Sequence, residues 1–198
     1  MAQINFDPKK HEYTTESGER VLSVTQVLDV YNVYNGIRKE TLEVAAERGT
    51  AVHQSIETLL NYGIADINEE YTPYIKAFED FYKRYSPKVI ATEKLLYNHY
   101  EGYAGTTDLI CEFGGERILI DYKTCSTINE KLIRLQLEAY ARAYTAEGGY
   151  IHGKAILHLK PNGKFKLYRY NGLNDVDWEM FKHTLAVAKY KEEMKKGR

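Results

Sequence analysis

ILIDYKT, residues 118–124, reads as a β-strand that begins apolar and ends charged. Side chains alternate along a strand, so residues two apart share a face. Ile118, Ile120 and Tyr122 therefore point one way, and Leu119, Asp121 and Lys123 the other. An Asp and a Lys on the same face at a strand end are most simply a surface ion pair. The segments on either side change the weight of that reading.

YAGTTDLICEF, 103–113, reads as the preceding strand, and Gly114-Gly115 separates the two. Gly-Gly is a strong two-residue hairpin loop because both positions accept positive φ. If Phe113 and Glu116 close the loop, Asp108 falls opposite Asp121 and Thr106 opposite Lys123. Two facing carboxylates destabilise an exposed hairpin by about 0.2–1 kcal/mol, and more when buried. Folding alone gives no reason for such a pair. A divalent cation does, since close carboxylates form a hard-oxygen site for Mg²⁺ or Mn²⁺. Register leaves a second reading open, in which Lys123 neutralises both acids as a plain salt-bridge cluster.

Around this hairpin the pattern is mixed. Residues 11–22 suggest a short hairpin turning at Gly18, with Ser23 an N-cap after it. Residues 39–63 are helical, interrupted at Gly49 and stopped at Gly63, and 68–87 form a helix ended by Pro87. A strand at 88–98 precedes the two strands already read. A helix over 129–147, a hairpin around Pro161-Asn162-Gly163 and a terminal amphipathic helix follow, the last with Trp178, Phe181, Leu185 and Ala188 on one face. The expectation is an α/β (α+β mixed) fold, a mixed sheet flanked by helices.

Composition bounds the function. The 198 residues suit one domain; 43% are hydrophobic, 28% charged, and the net charge is −1. That balance gives no global attraction to nucleic acid. No apolar run approaches the roughly 20 residues of a membrane helix, and MAQINFDPKKHEY has no export or transit character. No membrane partner and a cytoplasmic location are expected. Cys111 and Cys125, the two cysteines, cannot build a four-cysteine iron–sulphur or zinc site. There is no Walker A loop and so no motor.

An acid, twelve residues, then D-x-K (Asp108, then Asp121-Tyr122-Lys123) resembles the PD-(D/E)xK nuclease superfamily, with GTTD where the family often has proline. GTAVH at 49–53, GYAGTTDLI at 102–110 and QLEAY at 136–140 resemble three motifs of its RecB-like branch, and SVT at 23–25 resembles the start of its phage and mitochondrial-type exonucleases. The matches run in family order over roughly residues 20–145.

The resemblance implies a restriction-endonuclease-like core in αβββαβ order. It implies a single nuclease domain over 1–198: a mainly helical part to residue 87 carrying His53, a sheet core over 88–170 and a helix over 171–198. It implies a Mg²⁺- or Mn²⁺-dependent deoxyribonuclease with one or two ions, held by His53, Asp108, Asp121 and the backbone carbonyl of Tyr122. An imidazole ligand shifts preference toward Mn²⁺. Glu93 would line the site. Lys123 would orient the attacking water and stabilise the phosphate, its two neighbouring acids opposing a neutral base role. Gln136 and Tyr140 would position that machinery. Ser23 and Thr25, at a helix start, and Lys131 and Arg134 are candidate phosphate contacts, as are Lys189, Lys191, Lys195 and Lys196 of the terminal helix. The implied substrate is DNA, as single strands or duplex ends, cut as an exonuclease. A structure-specific endonuclease and an inactive nucleic-acid-binding subunit are the alternatives. A homo-oligomer, or a recombination or replication protein, are the further partner classes, in a bacterial or phage-infected cell.

Overall fold

A computed structural model describes residues 4–65 and 67–196, the side chain of Lys196 excepted. Residues 1–3, 66, 197 and 198 of the expected 1–198 domain, and the Lys196 contact, lie outside the described residues.

The chain opens on three short strands, β1 (Ile4–Asp7), β2 (Glu12–Thr15) and β3 (Arg20–Ser23). α1 (Val24–Leu28) starts on a capping box. Gln26 N–H donates to the Ser23 hydroxyl, and the Gln26 side chain accepts from Ser23 N–H. α2 (Lys39–Tyr62) runs unbroken through Gly49, which corrects the expected interruption. One glycine costs a helix only about 1 kcal/mol, and the packed residues Val52 and Ile56 hold the next turns. α3 (Thr72–Tyr85) stops at Ser86, whose φ of 42° breaks the helix before Pro87.

β4 (Lys88–Asn98), β5 (Tyr103–Phe113) and β6 (Glu116–Lys123) follow as expected. Gly114 and Gly115 turn with φ of 60° and 78°, and Phe113 pairs with Glu116. α4 (Glu130–Ala146), β7 (Gly153–Leu159), β8 (Phe165–Asn171) and α5 (Asp175–Lys196) complete the chain. β1 is an element absent from the sequence expectation; its four residues are too few to show a pattern.

Among the described residues the eight strands form one mixed sheet, β1-β2-β3-β5-β6-β7-β8, with β4 on the other edge of β5. β4 takes one edge of β5 along its length. The other edge is shared. β3 pairs in parallel with Tyr103 and Ala104, and β6 pairs antiparallel with Leu109 to Phe113. Residues 105–108 lie in the gap between them, so the sheet forks there.

Each face carries its own core. Leu119, Ile110 and Ile156 pack under α1, α4 and α5. Ile118, Ile120, Tyr122 and Leu109 pack under α2 and α3. Full burial of each such side chain stabilises by about 1.5–3 kcal/mol. The apolar start of ILIDYKT thus anchors β6 on both faces and delivers its polar end to the fork.

Candidate active site

The β5–β6 register is the one Gly-Gly dictates, but the ladder ends at Leu109 and Ile120. The next positions, Asp108 and Asp121, part. Asp108 Oδ2 accepts the Tyr122 backbone N–H at 2.5 Å, so a side chain replaces a ladder carbonyl. Asp121 and Lys123 pair onward with Ile156 and His158 of β7. Thr106, the expected neighbour of Lys123, bonds instead to the Tyr13 hydroxyl at 2.8 Å. The fork, not the ladder, sets these contacts.

β4 brings a third acid. Thr92 and Lys94 pair with Leu109 and Thr107, leaving Glu93 level with Asp108. Glu93 has φ of 43° inside a strand. That conformation costs a non-glycine residue about 1–3 kcal/mol and collects at functional sites. From the far face α2 supplies His53, whose Nδ1 lies 3.4 Å from Asp108 Oδ1 and whose ring meets the Tyr122 edge at 5.4 Å. Donor atoms of His53, Glu93 and Asp108 all fall within 4.8 Å of one another. Asp121 is buried and faces Lys123, with Nζ 2.6 Å from Oδ2. That contact is a close, buried ion pair.

The charges are strained accordingly. Burial pushes the Glu93 carboxyl up, and Asp108 adds to it, reaching about 8. Burial raises Asp121 to about 6, against the pull of Lys123. Burial would lower His53, but the Asp108 carboxylate outweighs it and lifts the imidazole to about 9. Burial would raise Asp108, but His53 and Lys123 hold it below the ordinary carboxylate range. Lys123 is likewise held above its ordinary value by Asp121 and Asp108 despite burial, so it stays charged. Without a cation, the protons on Glu93 and His53 and the charge of Lys123 offset the crowding of the acids. The donor set, one imidazole and carboxylates, fits a hard divalent ion.

The other expected residues divide. Gln136 Nε2 donates to the Tyr140 hydroxyl at 3.1 Å, and Asp121 and Asp108 lie near enough to help burial push that phenol well above its ordinary value. A Cβ at Gly105 would sit 2.5 Å from Tyr140 Cε1, so the glycine admits this ring to the fork. The Tyr122 ring lies in the α2–α3 core, as alternation requires, and it is the backbone N–H of Tyr122 that meets Asp108. Ser23 is buried and its hydroxyl is engaged by Gln26 N–H and Thr25 Oγ1. Thr25 and Lys131 are exposed. Arg134 is held by Asp177 through three hydrogen bonds of 2.9–3.2 Å, and Lys189 donates to the Glu101 carbonyl at 2.6 Å. Lys195 pairs with Glu192, while Lys191 is exposed. The strain at Glu93 and the tyrosine-shaped gap at Gly105 carry no pattern in the residues themselves.

No protein-family model matches the chain, and no curated protein matches it in sequence. Solved structures match it in fold. The alkaline exonuclease LHK-Exo from Laribacter hongkongensis superposes with a TM-score of 0.50 at 12% identity, over 88% of this chain and 89% of that one. Its complex with dAMP gives 0.52 at the same identity and coverage. A candidate exonuclease from Eubacterium rectale gives 0.50 at 10% identity, over 86% of this chain and 79% of its own. At such identities the likeness is one of fold. The mixed sheet with flanking helices is the architecture of these nucleases.

Proposed function

We propose that this chain is a metal-dependent nuclease that hydrolyses DNA phosphodiester bonds, working as an exonuclease on ends or single strands. The observation that carries the reading is the cluster of His53, Glu93 and Asp108 beside the Asp121–Lys123 pair. Its buried like charges and left-handed Glu93 oppose folding, and a cation site on a phosphate-cleaving enzyme explains why they stand together. The fold shared with LHK-Exo, an alkaline exonuclease, supports it.

His53, Glu93, Asp108 and Asp121 would hold Mg²⁺ or Mn²⁺, with the Tyr122 carbonyl as a further donor. Such an ion, when bound, supplies Lewis-acid stabilisation of phosphoryl oxygens and a more acidic water. The residues do the rest. Lys123 is a fixed positive charge that orients the phosphate and the attacking water; the Asp121 and Asp108 carboxylates beside it raise its pKa and so oppose a neutral base role. Gln136 and Tyr140 form a hydrogen-bonded pair that braces the fork around Asp121. Asp108, fixed by Tyr122 N–H and His53, stays ionised and needs no rearrangement to ligate.

The test is a time course on 5′- and 3′-labelled single- and double-stranded DNA with Mg²⁺, Mn²⁺ or EDTA. Cleavage needs the ion and falls at least about 100-fold in Asp121→Ala and Lys123→Ala. Variants that cut as fast as wild type would overturn the assignment. Circular single-stranded DNA stays intact under an exonuclease. Its cleavage would make the enzyme an endonuclease, and metal binding without any cleavage would make the chain a binding module.

A further inference from the structure

From the acids a row of nitrogen-bearing side chains runs across the sheet, with a lysine at each end and a histidine, kept neutral by burial, between them. Lys123 pairs with His158 on β7, and His158 with Lys166 on β8. Partners in register project from the same face. Lys123, His158 and Lys166 therefore line up across three strands, over about 10 Å at the usual strand spacing. α4 begins only at Glu130, so this end of the face is left open. A cavity of about 590 Å³ lies there, between the loop after β6 and the β7–β8 hairpin. Lys160 and Lys166 line it, with Ser126, Thr127 and Tyr168, and among the described residues none that lines it is acidic.

The walls are built rather than incidental. Lys166 Nζ sits 4.2 Å from the centre of the Tyr168 ring, which holds the ammonium in place. The hairpin tip is closed by Gly163 N–H to the Lys160 carbonyl and by Lys164 N–H to Asn162 Oδ1. His158 is 6% exposed, and its Nε2 bonds the Cys125 carbonyl at 2.8 Å, clamping the loop to β7. A carbonyl only accepts, so Nε2 carries the proton. Its Nδ1 has no hydrogen-bond partner among the described residues.

We propose that this cavity is a subsite for single-stranded DNA, in which Lys160 and Lys166 bind the backbone phosphates next to the one delivered to Lys123. The inference rests on the nuclease reading above and extends it to how the strand runs: across β6, β7 and β8, toward the β8 edge. Its chemistry is that of a strand-tracking groove, cationic and free of carboxylates. A strand laid along it puts one phosphate among the acids and Lys123, and its neighbours against lysines.

Fluorescence anisotropy of a labelled single-stranded oligothymidylate in EDTA tests the subsite without cleavage. The full chain with Lys160→Ala/Lys166→Ala is expected to bind at least about tenfold more weakly. Its dependence of log Kd on log salt should flatten by about 1.4, the loss of two single-strand phosphate contacts. Lys9→Ala/Lys10→Ala, which removes the same charge beyond β1 at the other end of the sheet, should bind as wild type. Lys160→Gln and Lys166→Gln singly should each show about half the slope change, which covers a double variant that folds poorly. Wild-type affinity and slope in the β7–β8 variants, an equal loss in the Lys9/Lys10 control, or no DNA binding at all would each overturn the subsite. The two readings fail separately. Weakened binding by the variants with no cleavage in any metal keeps the subsite and sinks the nuclease. Asp121-dependent cleavage with unchanged binding does the reverse.

Discussion

Glu93 meets two opposed demands. Its left-handed backbone and its closeness to Asp108 destabilise the metal-free protein, while the same placement makes it a ligand. Glu93→Gln should therefore raise the metal-free melting temperature at pH 9 by a few degrees and weaken Mn²⁺ binding by at least about tenfold. Calorimetric titration and thermal melts in EDTA check both, and a variant that loses in each would show Glu93 to be simply structural. pH tests the same cluster. His53, Glu93 and Asp121 have folded values of about 9, 8 and 6 against ordinary values of 6.5, 4.5 and 3.8. All three are raised, so the stability they contribute is complete below the ordinary values and is lost as pH climbs through the folded ones. Asp108 is lowered, so its contribution is lost only in acid. The melting temperature in EDTA should fall by at least about 5 °C from pH 6 to pH 9. Excess Mn²⁺ should flatten that profile, because bound metal replaces the protons. An unchanged melting temperature across the range would contradict the cluster's electrostatics. Alternation puts Asp121 and Lys123 on one face, and the Gly-Gly turn sets the register only as far as Leu109 and Ile120; the contacts of Asp108 beyond it come from the fork. The backbone of Glu93 was not legible in the residues, since nothing local to VIATEKLL requires a positive φ.

At the scale of elements, the fork in β5 depends on what packs into it. Gly105 faces Tyr140 from α4 and Val24 from α1, and an added methyl would lie 2.5 Å from the tyrosine ring. Gly105→Ala should destabilise by about 1–3 kcal/mol in urea unfolding. It should also reduce cleavage in protein that is still fully folded, because Tyr140 must withdraw from Asp121. Full cleavage by folded Gly105→Ala would show that Tyr140 has no positioning role. Most elements could be read from periodicity and punctuation. Helix 39–62 shows where that fails: Gly49 looks like a break, yet the core contacts of Val52 and Ile56 carry the helix through. Propensity is local, and those contacts are not.

Across the whole molecule, a buried ionic knot ties α4, β7 and the start of α5. Glu138, wholly buried, accepts from Lys154 Nζ, from Arg142 Nε at 2.8 Å and from Asn174 N–H at 3.0 Å. Lys154→Met leaves that carboxylate short of one cation and should cost about 3–5 kcal/mol in denaturant melts. A loss under about 1 kcal/mol would mean that Arg142 and the Asn174 amide suffice. The knot helps seat α4 on the sheet, and α4 brings Gln136 and Tyr140 to the fork. The sequence by itself determined the β5–β6 register, the faces of ILIDYKT and most element boundaries, because those follow from side-chain period and turn chemistry within a few residues. Tertiary structure alone decided that β3 and β6 share one edge of β5, that His53 arrives from the opposite face, and that a basic cavity opens beside the acids. Those facts depend on which distant segments meet, and a distance between segments has no local signature in the chain.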